Sequence, residues 1–147
     1  MASVKSVNIT NLDASPSVMI DSNNSSSPLS VWHDTYEASS LASGSDITIA
    51  RIPAHATIHD VIVKADALGG SSTLKVGDSG DDDRYLAAVG TWNSAGQCQS
   101  MLAGSTAANT AVAGLGYKNG DSALDIKITT GGATISGTIY FWIYYTV

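Results

Sequence analysis

From Leu124 to Thr129 large apolar and polar residues alternate without exception: Leu124, Ile126 and Ile128 take one parity, Asp125, Lys127 and Thr129 the other. Successive side chains of an extended strand point to opposite faces, so this period of two predicts a half-buried antiparallel strand with core on one side and water on the other. The competing signal is missing. No window of a dozen residues holds an apolar stripe at i, i+3, i+4 and i+7, and glycines and β-branched residues recur every few positions. The chain is therefore expected to be all-β.

Four further segments read as strands by the same logic: Asp46 to Ile52, Ile58 to Ala67, Ser72 to Gly77 and Thr134 to Thr146, each bounded by Gly, Pro, Asp or Ser. Weaker candidates run from Val4 to Ile9, Val18 to Asp21, Val31 to Ala38 and Arg84 to Ala88. Thr130-Gly131-Gly132-Ala133 supplies a tight reversal, and the strands on either side of it are expected to pair as a C-terminal hairpin. Pro53 cannot join a central ladder and marks a connection. Eight or nine short strands at this spacing predict an antiparallel β-sandwich of jelly-roll type. Two stretches read as loops: the polar run Asp21 to Pro28, and Asn93 to Gly120, which is rich in Ala, Gly, Ser and Thr and leaves room for a weak strand near Thr110 to Ala113.

At 147 residues the chain is the size of one domain that can bury a core without metal or disulfide support. Residues 13–147 are expected to form that domain, with residues 1–12 as an extended arm. Only 14% of residues are charged, so Ser, Thr, Asn, Gly and Ala must build much of the surface, and such groups are cheaper to desolvate than ions. That favours contact with other protein. Thirteen acidic against seven basic residues, with no basic cluster, speak against nucleic acid as a direct partner. Met1-Ala2-Ser3-Val4-Lys5 lacks the apolar core of a secretory signal, which reads as a cytoplasmic product. The longest apolar run, Ile139 to Tyr145, is far shorter than the roughly 20 residues a spanning helix needs, so no membrane anchor is expected.

Catalytic and metal signals are sparse. Asp78, Asp81, Asp82 and Asp83 concentrate carboxylates that could chelate a hard cation such as calcium, but the EF-hand spacing fails and the segment reads first as a solvated turn. His55 and His59 would share a face only on a helix, which Pro53 argues against. His33 has no nucleophile elbow nearby, and Cys98 lacks any signature that lowers a thiol pKa. No matched pair of acidic residues suggests a glycosidase. No catalytic residue, cofactor or resident metal is expected.

The C-terminal strand carries more information. Ile139, Phe141, Ile143 and Tyr145 share one parity, while Tyr140, Trp142 and Tyr144 share the other. Either the strand is buried on both faces, or the Tyr140, Trp142, Tyr144 row is an interface with apolar rings and polar tips. The same row could stack on sugars. Val4, Val7 and Ile9 are the matching anchor candidates at the other end of the chain.

The stretch running from Ile47-Thr48-Ile49-Ala50-Arg51-Ile52-Pro53-Ala54 through Val61-Ile62-Val63-Lys64-Ala65-Asp66 to Leu74-Lys75-Val76-Gly77-Asp78 and Asp81-Asp82-Asp83-Arg84-Tyr85-Leu86-Ala87-Ala88 resembles small virion structural proteins of tailed bacteriophages, including decoration or cement proteins of jelly-roll type. That resemblance implies a non-enzymatic β-sandwich on the capsid exterior, assembled in the host cytoplasm. It implies self-association as a dimer or trimer, with the major capsid protein as partner. The alternative class is a carbohydrate-binding or tail-fibre module, with Trp32, Trp92, Tyr85 and Tyr117 as its ring-stacking platform and calcium in the acidic turn.

Overall fold

The computed structural model of the chain describes residues 5, 7–19, 27–89, 92–102 and 116–147. Among these, one short helix, α1 (Val7–Leu12), precedes nine strands: β1 (Ser30–Leu41), β2 (Asp46–Ile52), β3 (Thr57–Ala65), β4 (Thr73–Gly77), β5 (Leu86–Val89), β6 (Gln97–Ser100), β7 (Tyr117–Lys118), β8 (Leu124–Gly131) and β9 (Ile135–Thr146). They form two sheets, ordered β1-β9-β3-β6 and β2-β8-β4-β5, with β7 also paired to β3. All pairings are antiparallel.

The pairing is nested. β1 lies against β9, β2 against β8, β3 against β6 and β7, and β4 against β5. This is one long antiparallel ribbon, rolled so that β9 also meets β3 and β8 also meets β4. An eight-stranded roll of this kind, divided between two sheets, is a jelly roll, and β7 is a two-residue addition to its plan. Packing the two inner faces together removes the alternating apolar rows from water. Ile47, Ile52, Leu74, Val76, Ile126 and Ile128 from one sheet meet Ile58, Val61, Val63, Ile139, Phe141 and Ile143 from the other, and each such side chain contributes about 1.5–3 kcal/mol by its burial.

The reversal after β8 is present but leads elsewhere than a hairpin. β8 pairs only with β2 and β4, while β9 pairs with β1 and β3 in the opposite sheet. The turn at Gly131 to Ala133 is a corner between sheets, and Ile126 and Ile128 join Ile139 and Phe141 in the shared core rather than along a ladder. Gly132 sits at φ +75°, with its missing Cβ replaced by the Ser71 carbonyl, so the corner is closed to other residues.

The strand expected at Val4 to Ile9 is corrected over its described part, where α1 begins at Val7. A six-residue helix is shorter than the window on which a helical period is read. The helix and the residues after it hold themselves together: Lys5 pairs with Asp13 at 2.7 Å, and the Asp13 and Val18 amides donate to the carbonyls of Ile9 and Asn11. Val18 and Met19 are not in a strand, and the rest of that candidate lies outside the described residues, as do Thr110 to Ala113 and most of Asp21 to Pro28. The Arg84 to Ala88 strand starts later, at Leu86. β6 and β7 lie in the stretch read as loop; both are short, and β6 is the polar sequence Gln97-Cys98-Gln99-Ser100, where no apolar alternation announces a strand.

Candidate functional site

β9 is a central strand whose two parities meet different surroundings. Ile139, Phe141 and Ile143 are buried in the core, while Tyr140, Trp142 and Tyr144 are half-buried on the outer face of the first sheet. Strand register fixes their neighbours. Val31, His33 and Thr35 of β1 stand opposite Tyr144, Trp142 and Tyr140. On the other side Asp60, Ile62 and Lys64 of β3 stand opposite the same three aromatics, and β6 adds Ser100 beside Ile62 and Cys98 beside Lys64. The His33 ring stacks on Trp142 with centroids 4.9 Å apart and planes 17° from parallel, which covers one face of the indole and fixes its orientation. Val31 is 50% exposed. The Asp60 carboxylate accepts hydrogen bonds from the Ser100 hydroxyl and the Leu102 amide, and Lys64 has no ion-pair partner among the described residues.

The outer face of the second sheet is built differently. Arg51 on β2 grips Asp125 on β8 through two hydrogen bonds of 2.6 and 2.9 Å, and these hold the Asp125 carboxyl below the usual carboxylate range. Lys127 faces Asp46 at 3.8 Å, the Thr129 hydroxyl donates to Asp46, and Lys75 pairs with Asp82. A shallow cleft of about 300 Å³ opens between the β1 and β2 edges, lined by Trp32, Asp34, Ile49, Arg51 and Asp125. Its Asp125 is already committed to Arg51.

The acidic turn divides into two parts. Asp78 is buried and structural: Arg84 donates to it at 2.7 Å, the Tyr85 hydroxyl at 3.1 Å, and the Gly80 and Asp81 amides close the turn on its other oxygen. Burial alone would raise this carboxyl, but the Arg84 hydrogen bond, the Gly80 amide, the Arg84 charge and the Tyr85 hydroxyl outweigh it and hold the group below its ordinary range. Tyr85 is correspondingly driven far above the ordinary phenol range, by burial first and by the Asp78 charge second. Arg84 also lies over the Tyr117 ring at 4.3 Å. Asp78 is thus removed from any ligand set. Asp81, Asp82 and Asp83 do bring ligand oxygens within 4.8 Å of one another, and the hydrogen bond and charge of Asp81 raise the Asp83 carboxyl.

The aromatic platform for sugars is not assembled. Trp92 and Tyr85 are buried in the core, Tyr117 lies beneath Arg84, and Trp32 packs at the β1 edge. The histidines are dispersed as well. His59 shares a 2.9 Å hydrogen bond with Thr146, His55 faces Asp121 at 3.7 Å, and His33 stacks on Trp142. None meets a serine or cysteine among the described residues. No helix of the described residues is long and apolar enough to cross a membrane.

No protein-family model matches the sequence, and no curated protein matches it. Solved structures do. A chain of the Cyanophage Pam1 capsid asymmetric unit superposes with a TM-score of 0.64 at 16% identity, covering 92% of this chain and 96% of that one. The fold is shared with chains of phage capsids. A chain of the capsid of Ralstonia phage GP4 gives 0.61 at 17% identity, covering 88% and 90%. One from the acidic stable capsid of Helicobacter pylori bacteriophage KHP30 gives 0.58 at 8% identity, covering 81% and 87%.

The sequence singled out Tyr140, Trp142 and Tyr144, and the structure places them together on one face. Val4 lies outside the described residues, Val7 falls in α1, and Ile9 is 46% exposed there. His33, Ile62, Asp60 and Lys64 complete the face and were not recognised beforehand. Strand parity marks each as outward, but nothing in the sequence says which strands flank β9.

Proposed function

We propose that the chain is a non-enzymatic virion structural protein that binds the outer surface of a tailed-phage capsid as a homo-oligomer and ties neighbouring major capsid subunits together. The observation that carries this reading is the end-to-end likeness to chains in phage capsids, which are themselves covered over 96%, 90% and 87% of their length. Whole chains of similar size are matched, so a jelly roll standing alone is a unit of such particles. The outward aromatic face supplies the physical side, since binding needs a surface of rings that is cheap to desolvate.

Such a protein needs only one interface of roughly 800 Å² with its partner. An oligomer that touches several shell subunits gains effective concentration from the shell, so moderate affinity at each site becomes durable attachment. Residues 1–12 serve as an arm, with Val4, Val7 and Ile9 as anchors. Within that arm Val7–Leu12 is helical, Lys5, Ile9 and Thr10 are exposed, and Lys5 and the Ile9 and Asn11 carbonyls bond to Asp13 and Val18 just beyond it.

The test is co-sedimentation of the purified protein with shells assembled from the major capsid protein of the genome that encodes it, with and without chelator. Saturable binding at fixed stoichiometry in both arms is the expected result, and deletion of residues 2–9 should lower occupancy. Absence of binding to intact shells would overturn the reading.

A further inference from the structure

The outer face of the β1-β9-β3-β6 sheet has a symmetry in its chemistry. Along β3, Asp60 and Lys64 stand at equal distances on either side of Ile62, opposite Tyr144, Tyr140 and Trp142 respectively. The face therefore forms three rows: Val31, Tyr144 and Asp60; His33, Trp142 and Ile62; Thr35, Tyr140 and Lys64. An acidic end and a basic end flank an apolar middle. Glu37, hydrogen-bonded by Thr138, lies beyond the third row at the rim.

We propose that this face binds the same face of a second copy, through a two-fold axis lying in the interface, perpendicular to the strands and passing through the row of His33, Trp142 and Ile62. Rotation about that axis lays the first row on the third. Lys64 of each copy then meets Asp60 of the other, Tyr140 meets Tyr144, and Trp142 and Ile62 lie against their own counterparts. The charges choose this axis. A two-fold axis running along β9 would set Lys64 opposite Thr35 and Asp60 opposite Val31, leaving both ions facing uncharged side chains.

The self-complementarity required of a two-fold interface is thus met by one patch. Four strands about 4.8 Å apart and three rows about 6.8 Å apart give a face of roughly 400 Å² in projection. That is about half of the roughly 800 Å² that each partner contributes to a standard interface, and side-chain relief adds to it. The Trp142 indole, held in place by His33, sits at the centre, where hot spots concentrate. This inference rests on the oligomeric part of the proposed function and names the contact that makes the oligomer.

Sedimentation of the full chain over a wide concentration range should show a dimer. Trp142→Ala should weaken association at least a hundredfold and Lys64→Glu at least tenfold, and the double exchange Asp60→Lys with Lys64→Asp should recover most of the affinity. Asp60 also supports β6, so a second test leaves the charges in place: in an Ile62→Cys, Cys98→Ser chain, a short bis-maleimide should join two chains at position 62. A monomer, a trimer, or a dimer that neither cross-links at 62 nor responds to Trp142→Ala overturns the proposal. A monomer whose shell binding is lost in Trp142→Ala assigns the face to the shell instead and leaves the proposed function standing. A cross-linked dimer that ignores shells upholds the inference while removing that function.

Discussion

The two outer faces of the sandwich are made from similar strands and differ in what they offer a partner. On the β2-β8-β4-β5 side, Arg51 with Asp125, Lys127 with Asp46 and Lys75 with Asp82 pair the charges within the sheet. On the β1-β9-β3-β6 side, three aromatic rings, Val31 and Ile62 share the surface with ions that have been left apart. Exposed pairs contribute little to stability, yet they keep a surface satisfied in water and costly to desolvate. A face of rings with polar tips is cheap to cover. One sheet thus holds its charges in pairs, and the other offers the surface on which the proposed association rests.

Substitutions along β9 separate the core from the face that lies a few ångströms away. Phe141→Ala should cost about 3–5 kcal/mol of folding stability, read from urea unfolding, because it empties a fully packed site. Asp78→Ala should follow with a loss of about 3 kcal/mol, since it leaves the Arg84 and Tyr85 donors without their acceptor. Asp78 also sets a pH dependence. Its carboxyl titrates lower in the folded chain than in the unfolded one, so the unfolded state takes up protons first as pH falls. The Asp78 contribution is complete above the ordinary carboxylate range and is lost as pH drops through the lowered folded value. The urea midpoint should fall across that acidic window, with a shallower slope in Asp78→Asn.

Trp142→Ser tests the comparison itself. Folding stability should change by about 1 kcal/mol or less, while association falls steeply, as expected of a central interface residue. A loss of stability as large as that of Phe141→Ala, with association intact, would make the outer aromatic row a part of the core and erase the distinction. The smallest effect is expected on the other face. Arg51→Ala should leave both the thermal midpoint and the sedimentation profile within error of the parent, because its pair with Asp125 is exposed to solvent.

How far the sequence could be read followed from local physics. Leu124 to Thr129 and Ile139 to Tyr145 carry two distinct parities, and burial in the structure follows them from Ile126 to Thr129 and from Ile139 to Tyr144, while Leu124 and Tyr145 at the ends are half-buried. The partners of those strands were a different matter. Gly131 and Gly132 announce a reversal, and a reversal between two alternating strands reads as a hairpin; only the rolled topology sends β9 into the other sheet. Gln97 to Ser100 pairs with β3 although its polar side chains announce nothing, since a short edge strand is defined by backbone bonds to its neighbour. The proposed interaction face was half legible for the same reason. The Tyr140, Trp142, Tyr144 row is contiguous in sequence, whereas Asp60, Lys64 and His33 join it only through pairings between distant segments. Asp78 looked like its acidic neighbours in composition, and burial against Arg84 set it apart.

The nested pairing of the strands also governs time. Ser30 is paired with Tyr145, so the first strand of the roll cannot be completed until Tyr145 has left the ribosome. Non-local pairing of this kind places all-β domains among the slow folders, in the millisecond to second range, because distant segments must be brought together before any ladder rewards the search. The same ordering shields the native state. Neither end of the roll can be peeled away without first breaking the β1 and β9 ladder, so the ladder that forms last in synthesis is also the one that guards against unfolding from the ends.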